Sequence, residues 1–313
     1  VLMKLGLPVD WLIGWMWNCV PVVLACVLAW VAWREQGKAV GILTLLVALL
    51  SVAQFHAFQA MYWKTEMALL WFVLTLFFLE RSPLRAGLFG VATLATHHQT
   101  GLLLGLVLLT HGIILVVREG WNPRIRRFTF LGIAIALFGS ALYAPVWQDA
   151  VMPHLARILA RGAAVPTGSF PGVRFALTSS GILFALGAVG FVWRFRTERF
   201  SPWHLAVVWS LLFVSLQLFF HRRFLLHLDF FLLPFAAAGL AALWSAWKTR
   251  LAHGLLIASI AVQAISSVSA IAPRLLPEVL RVRMVDALPE IRPSLDGAIF
   301  AAIQRLPATL PEG

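Results

Sequence analysis

Apolar runs of membrane-crossing length alternate with short polar breaks along almost the whole chain. The first run is 11–33, closed by "REQGK". Residues 39–80 form a double-length run interrupted by "QFHAFQAMYWKTE"; after "RSPLR" comes 86–117, interrupted by "HHQT". The basic segment "REGWNPRIRR" leads into 128–147, and a polar segment, 148–175, precedes 176–193. After "RFRTER" the run 204–247 is again double-length and is interrupted by "HRR"; "KTR" then opens the last run, 253–272. A helix needs about 20 residues to cross a hydrocarbon layer of about 30 Å. Splitting the three interrupted runs predicts an all-α, polytopic transmembrane helical bundle of about ten spans within residues 1–272. The segment 273–313 predicts an extracytoplasmic tail that begins an outer soluble domain. In it Ser294 caps a short helix with Ile299, Ala302, Ile303 and Leu306 on one face.

The run 86–117 tests this division. Its part before "HHQT" is about 11 residues, or about 16 Å as a helix. One kinked helix is the simpler reading, but it would put two arginine-rich links, "RSPLR" and "REGWNPRIRR", on opposite faces of the membrane. Two short spans with His97 and His98 at their turn keep those links together.

Charge then sets the orientation. The five links 34–38, 81–85, 118–127, 194–199 and 248–250 hold 13 of the 25 basic residues. The alternate segments, without the tail, hold 7: Lys4, Lys64, Arg157, Arg161, Arg174, Arg222 and Arg223. Short cytoplasmic loops carry excess Lys and Arg, so both termini are expected outside the cytoplasm. The chain is expected in the cytoplasmic (inner) membrane.

Composition agrees: 61% of residues are hydrophobic and 12% charged, with mean hydropathy +0.87, against about 25% charged in soluble domains. The net charge of +12 fits basic loops rather than nucleic-acid binding, since no basic run is interleaved with exposed aromatics. Cys19 and Cys26 share one apolar run and build neither a disulfide framework nor a metal site. The start at Val1 and the end at "LPEG" read as a fragment.

In this topology the unusual polar residues gather on the outer side. Gln54, His56, Gln59, Lys64 and Glu66 lie at the first outer turn, and His97, His98 and Gln99 at the second. Asp149, His154, Arg157, Arg161 and Arg174 lie in the long segment, and His221, Arg222, Arg223, His227 and Asp229 at the last turn. Ionisable groups at a membrane edge are costly and mark candidate sites. Arg222 and Asp229 are seven residues apart and return to one helix face; Arg223 and His227 are four apart and share another. Two readings stay open. Either the arginines reach lipid headgroups and Asp229 pairs with one of them structurally, or they form a cationic mouth for a phosphate, which the guanidinium fork suits.

Glu66 likewise has several readings: ion-pair partner of Lys64, helix N-terminal acid, or an acid that holds a divalent cation or orients an acceptor. Adjacent His97 and His98 would point about 100° apart on a helix, so turn capping or a lipid-phosphate contact fits them better than a shared metal. Gly101 with Gly105, and Gly187 with Gly190, offer close helix packing.

The layout resembles the GT-C class of polytopic glycosyltransferases, which includes oligosaccharyltransferase catalytic subunits, protein O-mannosyltransferases and aminoarabinose transferases. "VAWREQGKAVGILTLLVALLSV" is similar to the paired early helices with their short basic turn, and "ATLATHHQTGLLLGLVLL" to the short helices that follow. "FFHRRFLLHLDFFLLPFAAAGLAALW" is similar to the late hairpin, and "SLDGAIFAAIQRLPATLPEG" to the junction with the outer domain. The resemblance implies transfer of a sugar from a polyprenyl-phosphate-linked donor to a glycan, lipid or protein acceptor on the outer face. It assigns Arg222 or Arg223 to the donor phosphate and Glu66 to the acidic residue of the second outer loop, where a divalent cation (Mg or Mn) is one role open to it. Oligosaccharyltransferases have an Asp two residues before that Glu; this chain has Lys64. The family's principal catalytic acid lies in a first outer loop, which would precede Val1. Two other classes fit the same polar edge: a transporter or flippase, and another lipid-carrier enzyme of the O-antigen ligase or polymerase kind.

Overall fold

The structure, a computed structural model, describes residues 17–59, 62–146, 148, 152, 170–198, 200–218 and 220–271. The predicted tail, with Ser294, and the residues Asp149, His154, Arg157 and Arg161 lie outside them. The described residues form eleven α-helices and no strand: α1 (Trp17–Gln36), α2 (Lys38–Leu49), α3 (Val52–Gln59), α4 (Trp63–Phe78), α5 (Pro83–Thr96), α6 (His98–Glu119), α7 (Pro123–Tyr143), α8 (Val173–Glu198), α9 (Pro202–Ser215), α10 (His221–Ala246) and α11 (Arg250–Ile271). Six are long and apolar enough to cross a membrane, or seven if α2 and α3, bent by 59° at their break, make one span.

Helix ends follow local chemistry. Pro83, Pro123 and Pro202 stand in first turns, where the missing N–H costs nothing. Asn122 Oδ1 caps α7 by accepting from Ile125 N–H at 3.0 Å. Gly37, at φ +97°, lets α1 turn straight into α2. His97 alone links α5 to α6. The chain folds back there, because a Cβ on Gly101 would come within 3.0 Å of Leu94 Cα. The expected break at "HHQT" is therefore present, and α5 reaches 14 residues by starting at Pro83.

Spanning helices of similar hydropathy differ widely in burial. In α10, 94% of the spanning window is buried, against 17% in α7 and in α11, whose apolar faces point outward as lipid-facing helices require. Every residue of α10 from Phe224 to Leu240 is buried. It packs against α8, α9 and α2. The closest approach is to α8, where Gly190 meets the Phe235 carbonyl and Gly239 meets the Leu186 carbonyl. Gly187 also abuts Leu232. Gly101 packs tightly, but Gly105 has nothing within 4 Å of its Cβ position, so the small-residue pairing holds for one member only.

Breaks inside an apolar bundle leave backbone groups that need partners. The α2–α3 break exposes the Leu50 carbonyl, which accepts from Ser267 Oγ at 2.6 Å and Gln263 Nε2 at 3.4 Å. Gln263 Nε2 also donates to the Ser179 carbonyl at 2.8 Å, beside the non-helical Ser180 that kinks α8. Two polar side chains of α11 thus satisfy breaks in two other helices.

Candidate functional site

The predicted outer turns do converge at one end of the bundle. The link between α3 and α4, His97, the start of α8 and the α9–α10 turn meet there, as their contacts show. His56 lies edge-on to Phe170 at 5.3 Å, and Tyr62 lies edge-on to the same ring at 5.8 Å. The Arg223 guanidinium stands 5.8 Å from the Tyr62 ring and 5.7 Å from that of Phe220. Phe220 is itself left-handed, at φ 56°, a costly backbone for a bulky residue. It sets the direction in which α10 begins. The basic links lie at the other end, where Arg81 meets Glu35 at 3.3 Å.

Asp229 is buried in α10 and pairs with no described arginine. Its Oδ2 accepts from Ser51 Oγ at 2.7 Å and from Gln54 Nε2 at 2.8 Å. Ser51 Oγ also caps α3 by accepting from Gln54 N–H at 3.1 Å. Asp229 therefore fastens the α2–α3 break to the central helix, and the expected pairing with Arg222 or Arg223 is not made.

His227 is fully buried and belongs to a chain of polar contacts. His97 Nδ1 lies 2.9 Å from Thr100 Oγ1, Thr100 Oγ1 lies 2.9 Å from His227 Nε2, and His227 Nδ1 lies 3.1 Å from the Arg223 carbonyl. Burial holds the His97 imidazole far below its ordinary value, at about 3, with His227, His98, Arg223 and Lys64 acting in the same direction. With both rings neutral, one proton placement satisfies all three contacts. His227 Nδ1–H donates to the carbonyl, the Thr100 hydroxyl donates to His227 Nε2, and His97 Nδ1–H donates to the Thr100 oxygen. The more distant Thr100 N–H, 3.4 Å from His97 Nδ1, is the contact given up. His97 Nε2 then carries the lone pair. The ring of His98 stands 5.4 Å from that of His97.

Glu66 is the exception among these groups. It is 2% exposed, and no described residue hydrogen-bonds its carboxyl. Lys64 instead lies 5.6 Å from the Trp63 ring, so the expected Lys64 pairing is not made. The carboxyl opens on a cleft of about 480 Å³ whose walls include Pro21, Cys26, Leu45, Phe55 and Phe58, with Ser51 and Gln54 beside it. Glu66 is one turn from Tyr62, whose carbonyl accepts its N–H at 3.1 Å, so its backbone lies about 6 Å along the axis from that of the residue whose ring Arg223 faces. Arg222 and His221 open α10 at the same turn. Arg174, in the first turn of α8, is exposed. Gln99, buried in the first turn of α6, has neither amide atom bonded to a described residue.

Among the described residues no three His, Cys, Asp or Glu side chains converge as metal donors. With Asp229 committed to Ser51 and Gln54, the described residues do not complete a cation site around Glu66. Two participants carried no sequence signal strong enough to single out: Ser51, a cap hidden in an apolar run, and Thr100, a hydroxyl whose partner is 127 residues away. Comparison with protein-family models gives no match, and comparisons with curated proteins and with solved structures give none either.

Proposed function

We infer that this chain belongs to a multi-pass membrane glycosyltransferase that moves a sugar from a polyprenyl-phosphate-linked donor to an acceptor on the outer face of the cytoplasmic membrane. The observation that carries the reading is the buried carboxyl of Glu66, which no described residue hydrogen-bonds, in a mainly apolar cleft, one helical turn along the backbone from Tyr62, the residue whose ring Arg223 faces. With α4, α5 and α9 crossing as short spans and α2–α3 as one bent span, the bundle has ten crossings, in keeping with the GT-C resemblance.

The chemistry divides between those groups. The acceptor O–H oxygen bonds to the anomeric carbon while the bond from that carbon to the lipid phosphate breaks. Glu66 takes the acceptor proton. The departing phosphate gains charge, which guanidinium groups of Arg222 and Arg223 stabilise in a poorly hydrated setting. The neutral His97–Thr100–His227 chain, ending on the Arg223 carbonyl, holds the start of α10 in register.

The test is binding of farnesyl phosphate against farnesol, followed by tryptophan fluorescence. The phosphate form is expected to bind more tightly, and R222Q/R223Q to remove most of the difference. In cells, E66Q is expected to accumulate lipid-linked sugar, read by mass spectrometry. Equal binding of alcohol and phosphate, or unchanged lipid-linked sugar in E66Q, would reject the reading.

A further inference from the structure

The cleft beside Glu66 opens through two exposed helix faces. Its rim is Val22 and Cys26 on α1 and Leu45 and Leu49 on α2. Val22 is 62% exposed and Leu49 is 68% exposed. Each pair is four residues apart and so forms a strip one turn long on its helix. The floor belongs to the core: Phe230 and Leu233 of α10 line the cleft and are 1% and 2% exposed. Between rim and floor two small side chains, Ala25 and Ala48, leave the space open. Helix α1 is of membrane-crossing length, and in a multi-pass chain its exposed apolar strip meets hydrocarbon. The way in from the rim is therefore sideways, from the lipid.

The cleft holds about 480 Å³, within the range of small-molecule sites, which are mostly apolar with a few placed polar groups. Here the polar groups are Asn18, Ser51, Gln54 and Glu66. Asn18 is exposed, and Ser51 and Gln54 both donate to Asp229. Glu66 is 2% exposed, and no described residue hydrogen-bonds its carboxyl. A lipid chain that moves into the cleft exchanges one apolar neighbour for another, so the chain alone selects nothing. Selection falls to Glu66, because a buried carboxyl is costly until something donates to it. A soluble sugar or a peptide would bring polar groups against an apolar wall and lose their hydration. An amphiphile with one chain and a head hydroxyl satisfies both the wall and the carboxyl.

We propose that the acceptor is itself a membrane lipid, which enters between α1 and α2 and lies with its chain in the cleft and its head hydroxyl on the Glu66 carboxyl. The transfer rests on the glycosyltransferase reading above; the binding does not. The hydroxyl oxygen bonds to the anomeric carbon, and its proton passes to Glu66. The bond from that carbon to the donor phosphate breaks, and its electron pair leaves on the phosphate. The product is a glycosylated lipid.

The experiment is native mass spectrometry of the full chain in detergent, titrated with monooleoylglycerol, with methyl oleate, which lacks a hydroxyl, or with glycerol, which lacks a chain. One monooleoylglycerol is expected to be held about ten-fold more tightly than methyl oleate, from a hydrogen bond to a charged group, and millimolar glycerol not to displace it. E66L is expected to remove that preference. A25F and A48F, which fill the cleft from different helices, are each expected to weaken monooleoylglycerol by about five-fold or more. L109F, on the exposed face of α6, is expected to leave it unchanged. Circular dichroism verifies that each variant stays helical; if one of the filling variants does not, the other decides, and E66L decides if neither does. In cells, A48F is expected to accumulate lipid-linked sugar and to lose a glycosylated lipid from the solvent extract. Equal retention of monooleoylglycerol and methyl oleate, or undiminished binding in a helical A25F or A48F chain, would overturn the proposal. So would accumulation of lipid-linked sugar in E66Q but not in a helical A48F chain, which would show that the acceptor arrives from water. If farnesyl phosphate and farnesol bind equally while monooleoylglycerol keeps its preference, the transfer is rejected and the lipid site stands.

Discussion

Ser51 donates a 2.7 Å hydrogen bond to Asp229 across 178 residues of sequence, and that bond ties the break between α2 and α3 to the core helix. Asp229→Ala leaves the buried Ser51 and half-buried Gln54 donors without their acceptor. A loss of about 2–6 kcal/mol is expected, at about 1–3 for each orphaned group. Asp229→Asn keeps an oxygen that accepts both bonds, and the loss is expected to stay within about 1 kcal/mol. Unfolding of the two variants in detergent micelles, followed by circular dichroism, measures the difference.

Thr100 gives a second contrast. Thr100→Val keeps the shape but breaks both contacts to the imidazoles, so about 2–4 kcal/mol is expected to be lost. Thr100→Ser restores the hydroxyl and most of the stability. Equal melting temperatures for the Val and Ser variants would show that the two histidines are not held through residue 100.

Burial of His97 has a pH consequence. Its neutral form is favoured in the fold, with the pKa lowered from 6.5 to about 3. Above pH 6.5 neither state binds the proton, and the full stability is present. As pH falls below that value the unfolded chain takes up a proton that the fold refuses. Stability is therefore lost at about 1.4 kcal/mol per pH unit for this group, until the pH nears the folded value. Melting measured between pH 7.5 and 5 is expected to show this slope, and His97→Gln to reduce it.

The α8–α10 crossing predicts opposite outcomes for two glycines. A Cβ at Gly190 would collide with the Phe235 backbone, so Gly190→Ala is expected to cost about 1–3 kcal/mol. Gly105 has open space around it, and Gly105→Ala is expected to be neutral or to gain up to about 1 kcal/mol from helix propensity. Melting temperatures of the two variants check the pair.

Much of the fold was legible in the sequence because apolar run lengths and polar punctuation are local. "REQGK", "RSPLR", "HHQT" and "HRR" all fall at helix ends. The gathering of Glu66, His97, Arg223 and His227 at one end followed from simple alternation of the runs. What was not legible depends on contacts between distant segments. Periodicity did not single out α10 as the helix buried on all sides, since lipid-facing α7 and α11 are equally apolar. The partners of Asp229 could not be read either: seven-residue spacing pointed to Arg222, whereas the groups that reach it sit in a helix break far earlier. The short α5 looked too brief because its start was set by composition, while the proline at position 83 begins the helix sooner.

The placement of α10 bears on how the protein is assembled. It is synthesised near the end of the described chain, yet the helices made before it surround it. Until it enters the membrane, Ser51 and Gln54 have no acceptor, Thr100 has no imidazole beyond it, and Gly190 faces an empty groove. The earlier helices can be inserted one by one, but their final arrangement waits for a latecomer. A ribosome stalled after α9 would leave a loose collection of helices for quality-control proteases to clear.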